Sequence, residues 1–163
     1  MKYAIGAVPK RLLCLMLLGF AVALNAQDND TRIESEDTRH IKSKHSVELT
    51  VERAKRIAEH SELKVFGVID HARNAADVGL ELLPAQLMVF GNPVVGTELM
   101  NANPLIGLDL PLKLLVWEDP QGVVWISYSS AEAMQKRHNL QDYAEQFQNT
   151  EQLLKDLGQK AGQ

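Results

Sequence analysis

The sequence predicts an α+β domain, and three observations carry that reading. Two alternating runs, Leu112 to Glu118 and Val123 to Tyr128, flank Asp119-Pro120-Gln121-Gly122 and specify a β-hairpin. Apolar residues recur at helical spacing in two stretches, Val47 to Ala58 and Tyr143 to Leu157. Between the first of these and the hairpin, short apolar runs are cut by Gly, Pro and Asn, the pattern of strands separated by turns.

With 163 residues, 45% hydrophobic and 23% charged, the chain holds enough apolar material for one packed domain. Lys2, Lys10 and Arg11 precede an apolar run from Leu12 to Leu24 that ends in small residues, which is the pattern of a secretory signal peptide. Cleavage after Ala23 or Ala26 fits, so the expected location is the periplasm of a Gram-negative cell or the exterior. The run falls short of the roughly 20 apolar residues that span a bilayer, so no membrane contact is expected once it is removed. Cys14 lies inside it, and the mature chain is then expected to hold no disulfide, thiolate ligand or haem attachment. Loss of the three cations leaves 14 Lys and Arg against 21 Asp and Glu, a net charge of −7 that opposes nucleic-acid binding.

Gln27 to Arg39 has one large apolar residue among many charges and reads as a flexible tether, leaving one domain over 40–163. His40 to Ser43 is expected to open the sheet as a lysine-bearing edge strand. Ser46 caps a helix running to about His60, with Glu52 and Arg56 spaced for an ion pair. Leu63 to Ile69 is apolar on both alternating sets, the signature of a central strand covered on both faces. A short helix follows over Arg73 to Val78, closed by Gly79, and a third strand over Gln86 to Phe90.

Gly91-Asn92-Pro93 must turn, and Thr97 to Asn101 reads as about one helical turn. In the hairpin, proline sets the first central residue of a type I turn and glycine takes the left-handed position after it. That loop makes Trp117 face Trp125 and Leu115 face Ser127, while Leu114, Val116, Val124, Ile126 and Tyr128 share the face expected under the helices. Ser129 and Glu132 form a capping box for a helix near Ala131 to Arg137. A last helix runs from Leu140 with a polar gap at Thr150 and Glu151, so its far end is expected to be weakly anchored and to fray before Gly162.

Ile69-Asp70-His71, Phe90-Gly91-Asn92-Pro93 with Gly96-Thr97 and Leu99-Met100, Gly107 to Lys113, Val116-Trp117 and Arg137-His138, taken in that order, resemble the domain-of-unknown-function 302 family. The resemblance runs from about Ile41 to Leu140. It implies a β-α-β(4)-α arrangement: an antiparallel sheet of about four to five strands with helices on one face, grouped with the TATA-box-binding-protein-like folds, plus C-terminal helices. Such a fold carries no DNA binding by itself. One departure is Glu62, where the family pattern leads us to expect glycine. The family brings no settled activity, so the chemistry rests on individual residues.

Asp70 and His71 offer a carboxylate and an imidazole for acid/base work, against the plainer reading of a strand end bonded to backbone. His138, beside Arg137, would complete a small metal-assisted or hydrolase-like site if the fold brought it to His71. His40 and His45 are expected to be solvated, and no cofactor is expected. Asn92 and Thr97 are ligand-binding candidates, Thr97 as a residue at a helix N-terminus, although turn chemistry explains both. Lys113, Trp117 and Trp125 form an amphipathic set suited to a small molecule, another protein or a second copy of the chain. The leading expectation is an exported binding or assembly module without catalytic activity.

Overall fold

The computed structural model describes residue 35 and residues 37–163; the expected signal segment and positions 27–34 and 36 of the expected tether lie outside the described residues. Five strands, β1 (Thr38–Ser43), β2 (Lys64–Asp70), β3 (Ala85–Gly91), β4 (Leu112–Glu118) and β5 (Val124–Ser129), form one antiparallel sheet in the order β1-β5-β4-β3-β2. Helices α1 (Val47–His60), α2 (His71–Asp77), α3 (Pro93–Ala102), α4 (Ala131–Arg137) and α5 (Ala144–Gly162) connect and follow the strands, with 3₁₀ turns at Pro104–Leu108 and Gln141–Tyr143. The expected α+β architecture is present, and β1 is the expected edge strand. It begins at Thr38, so the last two residues of the expected tether belong to the sheet, held by Ser129 and Tyr128 of β5. Among the described residues, no helix is long and apolar enough to cross a membrane.

The hairpin has the expected register, Trp117 opposite Trp125 and Leu115 opposite Ser127. Gly122 sits at φ 75°, where a β-carbon is disfavoured, and its amide donates to the Asp119 carbonyl at 2.9 Å. The even set Leu114, Val116, Val124, Ile126 and Tyr128 is buried, together with Met88 and Phe90 of β3, and meets the apolar stripe of α1 at Val47, Val51, Ala54 and Ala58.

The second strand is not central. β2 lies at the other edge of the sheet, and Phe66, Val68 and Ile69 are exposed. A run that is apolar on both sides reads the same whether both faces are covered or one edge lacks a neighbour. The helix after Gly91 is longer than one turn: Asn92 caps it, accepting from the Val94 amide at 2.9 Å, and Pro93 at the first position needs no amide partner. Thr97 is therefore in the middle of α3, away from its N-terminus. The cap of α4 is Ser130 in place of Ser129, which ends β5, and the Ala131 amide donates to Glu151 of α5 at 2.8 Å. The cap amide that a capping box would bond to the Glu132 carboxylate donates instead to the Asp37 carbonyl at 2.8 Å.

The far end of α5 is its best-buried part, contrary to the expected fraying. Leu154, Leu157, Gly158, Ala161 and Gly162 are all buried, and the Gly162 carbonyl accepts from the Lys44 amide at 2.9 Å. The anchoring is steric: a β-carbon at Gly158 would lie 2.7 Å from the Ile41 Cδ1, and one at Gly162 would lie 3.1 Å from the Lys42 carbonyl. Two glycines thus let the helix backbone approach β1 and β5. The polar gap has uses of its own, since Glu151 caps α4 and pairs with Arg39 at 3.7 Å.

Helix α1 ends as expected, and Glu62 explains the missing glycine. The Leu63 amide donates to the Ala58 carbonyl at 3.0 Å, closing a turn that holds Glu62 at φ 58°, the left-handed region. We predict that Glu62→Gly stabilises the fold by about 1 kcal/mol, because glycine removes that strain; a lower urea midpoint for the variant would refute it. We also predict that Gly158→Val costs about 1–3 kcal/mol by overpacking the contact with Ile41 and Ile126, read as a fall in the same midpoint with unchanged m-value.

Candidate functional site

An open cleft of about 660 Å³ is built from elements far apart in sequence. Leu63 enters it from just before β2 and Phe66 from β2 itself, Val95, Leu99 and Met100 from α3, Ile106 and Leu110 from the crossover to β4, Met134 from α4, and Phe147 and Leu153 from α5. Gly107 lets the 3₁₀ turn close on α3: a β-carbon there would stand 3.1 Å from the Met100 Cε. The polar lining consists of Asn92, Thr97, Gln146, Asn149 and Thr150, all uncharged. Asn92 keeps its carbonyl oxygen on the Val94 amide, and Thr150 donates to its own helix at the Gln146 carbonyl. The free amide group of Asn92 and the side chains of Thr97, Gln146 and Asn149 face an apolar concavity of the size that takes small molecules.

Two of the sequence candidates, Asn92 and Thr97, therefore meet at this cleft. Its partners from α5 were missed, and their one signal was the polar gap at Thr150 in an otherwise apolar stripe. Lys113, Trp117 and Trp125 lie elsewhere. Both indoles stand on the sheet face opposite the buried set, half-exposed, with their N–H groups satisfied inside the chain: Trp117 donates to Ser127 and Trp125 to Asp119, each at 2.8 Å. Lys113 donates to the carbonyls of Asp109 and Pro111 at 2.8 and 3.1 Å.

The structure does not bring Asp70 and His71 to His138. Asp70 pairs with Gln86 at the end of the sheet that carries Val116, whereas His138 bonds Asp109, just ahead of Leu112 at the other end. Asp70 is a cap, accepting from the Arg73 amide at 2.9 Å and from Gln86 at 3.1 Å, and His71 is the first residue of α2. No group of three or more His, Cys, Asp or Glu placed to hold a metal occurs among the described residues. His40 and His45 are half-buried, not solvated, and His40 Nδ1 lies 2.8 Å from the Ser127 hydroxyl.

What His138 does instead is structural. Its ring is 6% exposed, and its Nε2–H and the Arg137 guanidinium both donate to one oxygen of Asp109, each at 2.7 Å. Asn103 donates to the His138 carbonyl at 2.9 Å, so the end of α4 is tied to both ends of the 3₁₀ turn that lines the cleft. Burial pushes the Asp109 carboxyl up, and the bonds from His138 and Arg137 outweigh it, so the group titrates below its ordinary value. A depressed folded pKa means stability that is present above the unfolded pKa and lost as pH falls through the folded one. We predict that Asp109→Asn costs about 1–3 kcal/mol at neutral pH and that its deficit against the wild type shrinks as pH falls below about 3.8. A deficit unchanged at acid pH would exclude the ionic tie.

Over 100 residues the chain is 42% identical to the fluoride-specific ion channel FluC 1 of Brucella suis biovar 1 (strain 1330), covering 61% of this chain and 39% of that protein. The same identity and length hold for FluC 1 of Brucella abortus biovar 1 (strain 9-941), of which 37% is covered. The chain thus spans less than two fifths of the length of these curated relatives. The crystal structure of an uncharacterized conserved protein DUF302 from Bacillus stearothermophilus superposes with a TM-score of 0.71 at 19% identity, covering 78% of this chain and 99% of that one, which shows a shared fold. The family model described as domain of unknown function DUF302 matches residues 39–157. That match takes in β1 through most of α5, and the chain belongs to the DUF302 family.

Proposed function

We propose that this chain is an exported, non-catalytic binding module whose cleft takes a small, largely apolar molecule. The observation that supports the reading best is convergence. Gly91, Asn92 and Pro93, then Gly96 and Thr97, then Leu110 and Pro111, residues that carry the family resemblance, all line the one cleft. Hydrocarbon walls supply the binding energy on this reading, at about 25 cal/mol per Å² removed from water, and the uncharged amides and hydroxyls orient the occupant. The fluoride chemistry in the relatives' names is not carried over. A small, strongly hydrated anion loses its solvation in such a lining, which offers no cation to replace it.

Export rests on the N-terminal pattern of cations, apolar run and small residues. A mature N-terminus at residue 24 or 27, read by mass spectrometry on protein from the periplasmic fraction, is the expected result.

Gly96 gives a test of the cleft that spares the core. A β-carbon there meets only Leu110 Cδ1, at 3.8 Å, and a side chain in a helix interior is favoured over glycine. We predict that Gly96→Phe fills the cleft and weakens binding of the neutral fluorophore N-phenyl-1-naphthylamine about tenfold or more, with no loss of melting temperature. A wild type that does not bind the probe, or a variant that binds it equally, would reject the cleft as the site.

A further inference from the structure

Among the described residues no strand pairs with the outer side of β2, yet the strand lacks most of the features that keep an edge solitary. Its only charges are at its ends, Lys64 and Asp70, and between them Phe66, Val68 and Ile69 are 47%, 41% and 43% exposed. The exposure continues through the loop after α2, so that seven of the twelve exposed large apolar residues among those described fall between positions 66 and 83. Apolar surface concentrated in this way marks an interface.

The strand also says what would cover it. Read in reverse it complements itself: at equal distances either side of Gly67, Lys64 falls opposite Asp70, Val65 opposite Ile69, and Phe66 opposite Val68. Opposite charges meet at both ends and apolar side chains meet between them, which is the condition for an isologous antiparallel pair. Gly67 stands at the centre, and a β-carbon built on it finds nothing within 4 Å, so the axis is unobstructed. The bulge between Val65 and Gly67 adds local twist, and the two-fold places the two copies' bulges on opposite sides of the axis, each facing the regular half of the other strand. Both oxygens of Asp70 accept one bond each, leaving a carboxylate lone pair on each for a partner's ammonium.

We propose that β2 pairs antiparallel with β2 of a second copy about a two-fold axis at Gly67, joining the two five-stranded sheets into one. The axis residue makes a specific test. In the full-length chain with Cys14→Ser, Gly67→Cys should form a disulfide-linked dimer on mild oxidation, because the residue faces its own copy, whereas Val65→Cys alone, which faces Ile69, should not. Sedimentation of the wild type should show a dimer. Val68→Lys, which sets a cation against the partner's Phe66, should weaken it about tenfold or more, with an unchanged circular dichroism spectrum. Trp117→Ala should leave the dimer intact. A wild type that stays monomeric at millimolar concentration, a dimer that survives Val68→Lys or is lost in Trp117→Ala, or Gly67→Cys that fails to cross-link would each overturn the pairing. The cross-link decides the matter even if Val68→Lys does not fold.

Discussion

The register of the β4–β5 hairpin is the constraint on which the rest of the molecule depends. Side chains alternate along a strand, so a slip of one residue would exchange the buried set headed by Leu114, Val116 and Ile126 for the set that holds both tryptophans. Asp119 holds the register from both ends of its side chain. One carboxylate oxygen accepts the Gln121 and Val123 amides, and the other accepts the Trp125 indole N–H at 2.8 Å. The indole lowers the carboxyl's pKa more than desolvation raises it, so the lock is ionised across the physiological range. With that face defined, α1 and α5 have one surface to pack on, and β1 and β3 inherit their pairing partners from the hairpin.

The cleft follows from how the chain returns from β3 to β4. Antiparallel neighbours can be joined by two residues, yet here the connection holds α3 and a 3₁₀ turn, which must be supported from outside the sheet. Asp109, His138 and Arg137 supply that support on one side, and the glycine contacts of α5 bring its pocket-lining turns over the sheet on the other. The cleft is therefore bounded by well-anchored elements on the α5 side and by the exposed β2 edge on the other, where Phe66 belongs to both the cleft and the edge. Packing at that edge and occupancy of the cleft share one aromatic side chain.

Local chemistry made much of the fold legible. The hairpin, the Ser46 cap, the end of α1 and the two helical stripes each depend on residues a few positions apart, and each was readable from those residues. The motifs around Asn92 and Thr97 were likewise visible as a cluster, although their common cleft was not. What stayed hidden depends on distant partners. Asp109 carries no local mark of its bond to His138, Glu151 is only a polar interruption until it reaches the α4 amide, and Gly158 and Gly162 look like helix weakeners until β1 and β5 lie beneath them.

The sequence by itself determined the alternation of strands and helices, the turn chemistry and the family, because these rest on backbone preferences and on periods of two and 3.6 residues. Only the tertiary structure decided that β2 is an edge and not a central strand, that Asp70 and His71 stand at the opposite end of the sheet from His138, and that α5 is anchored at its far end. Strand order and helix approach are set by non-local contacts, and a hydrophobic run of seven residues reads the same whether its neighbour belongs to this chain or is yet to arrive.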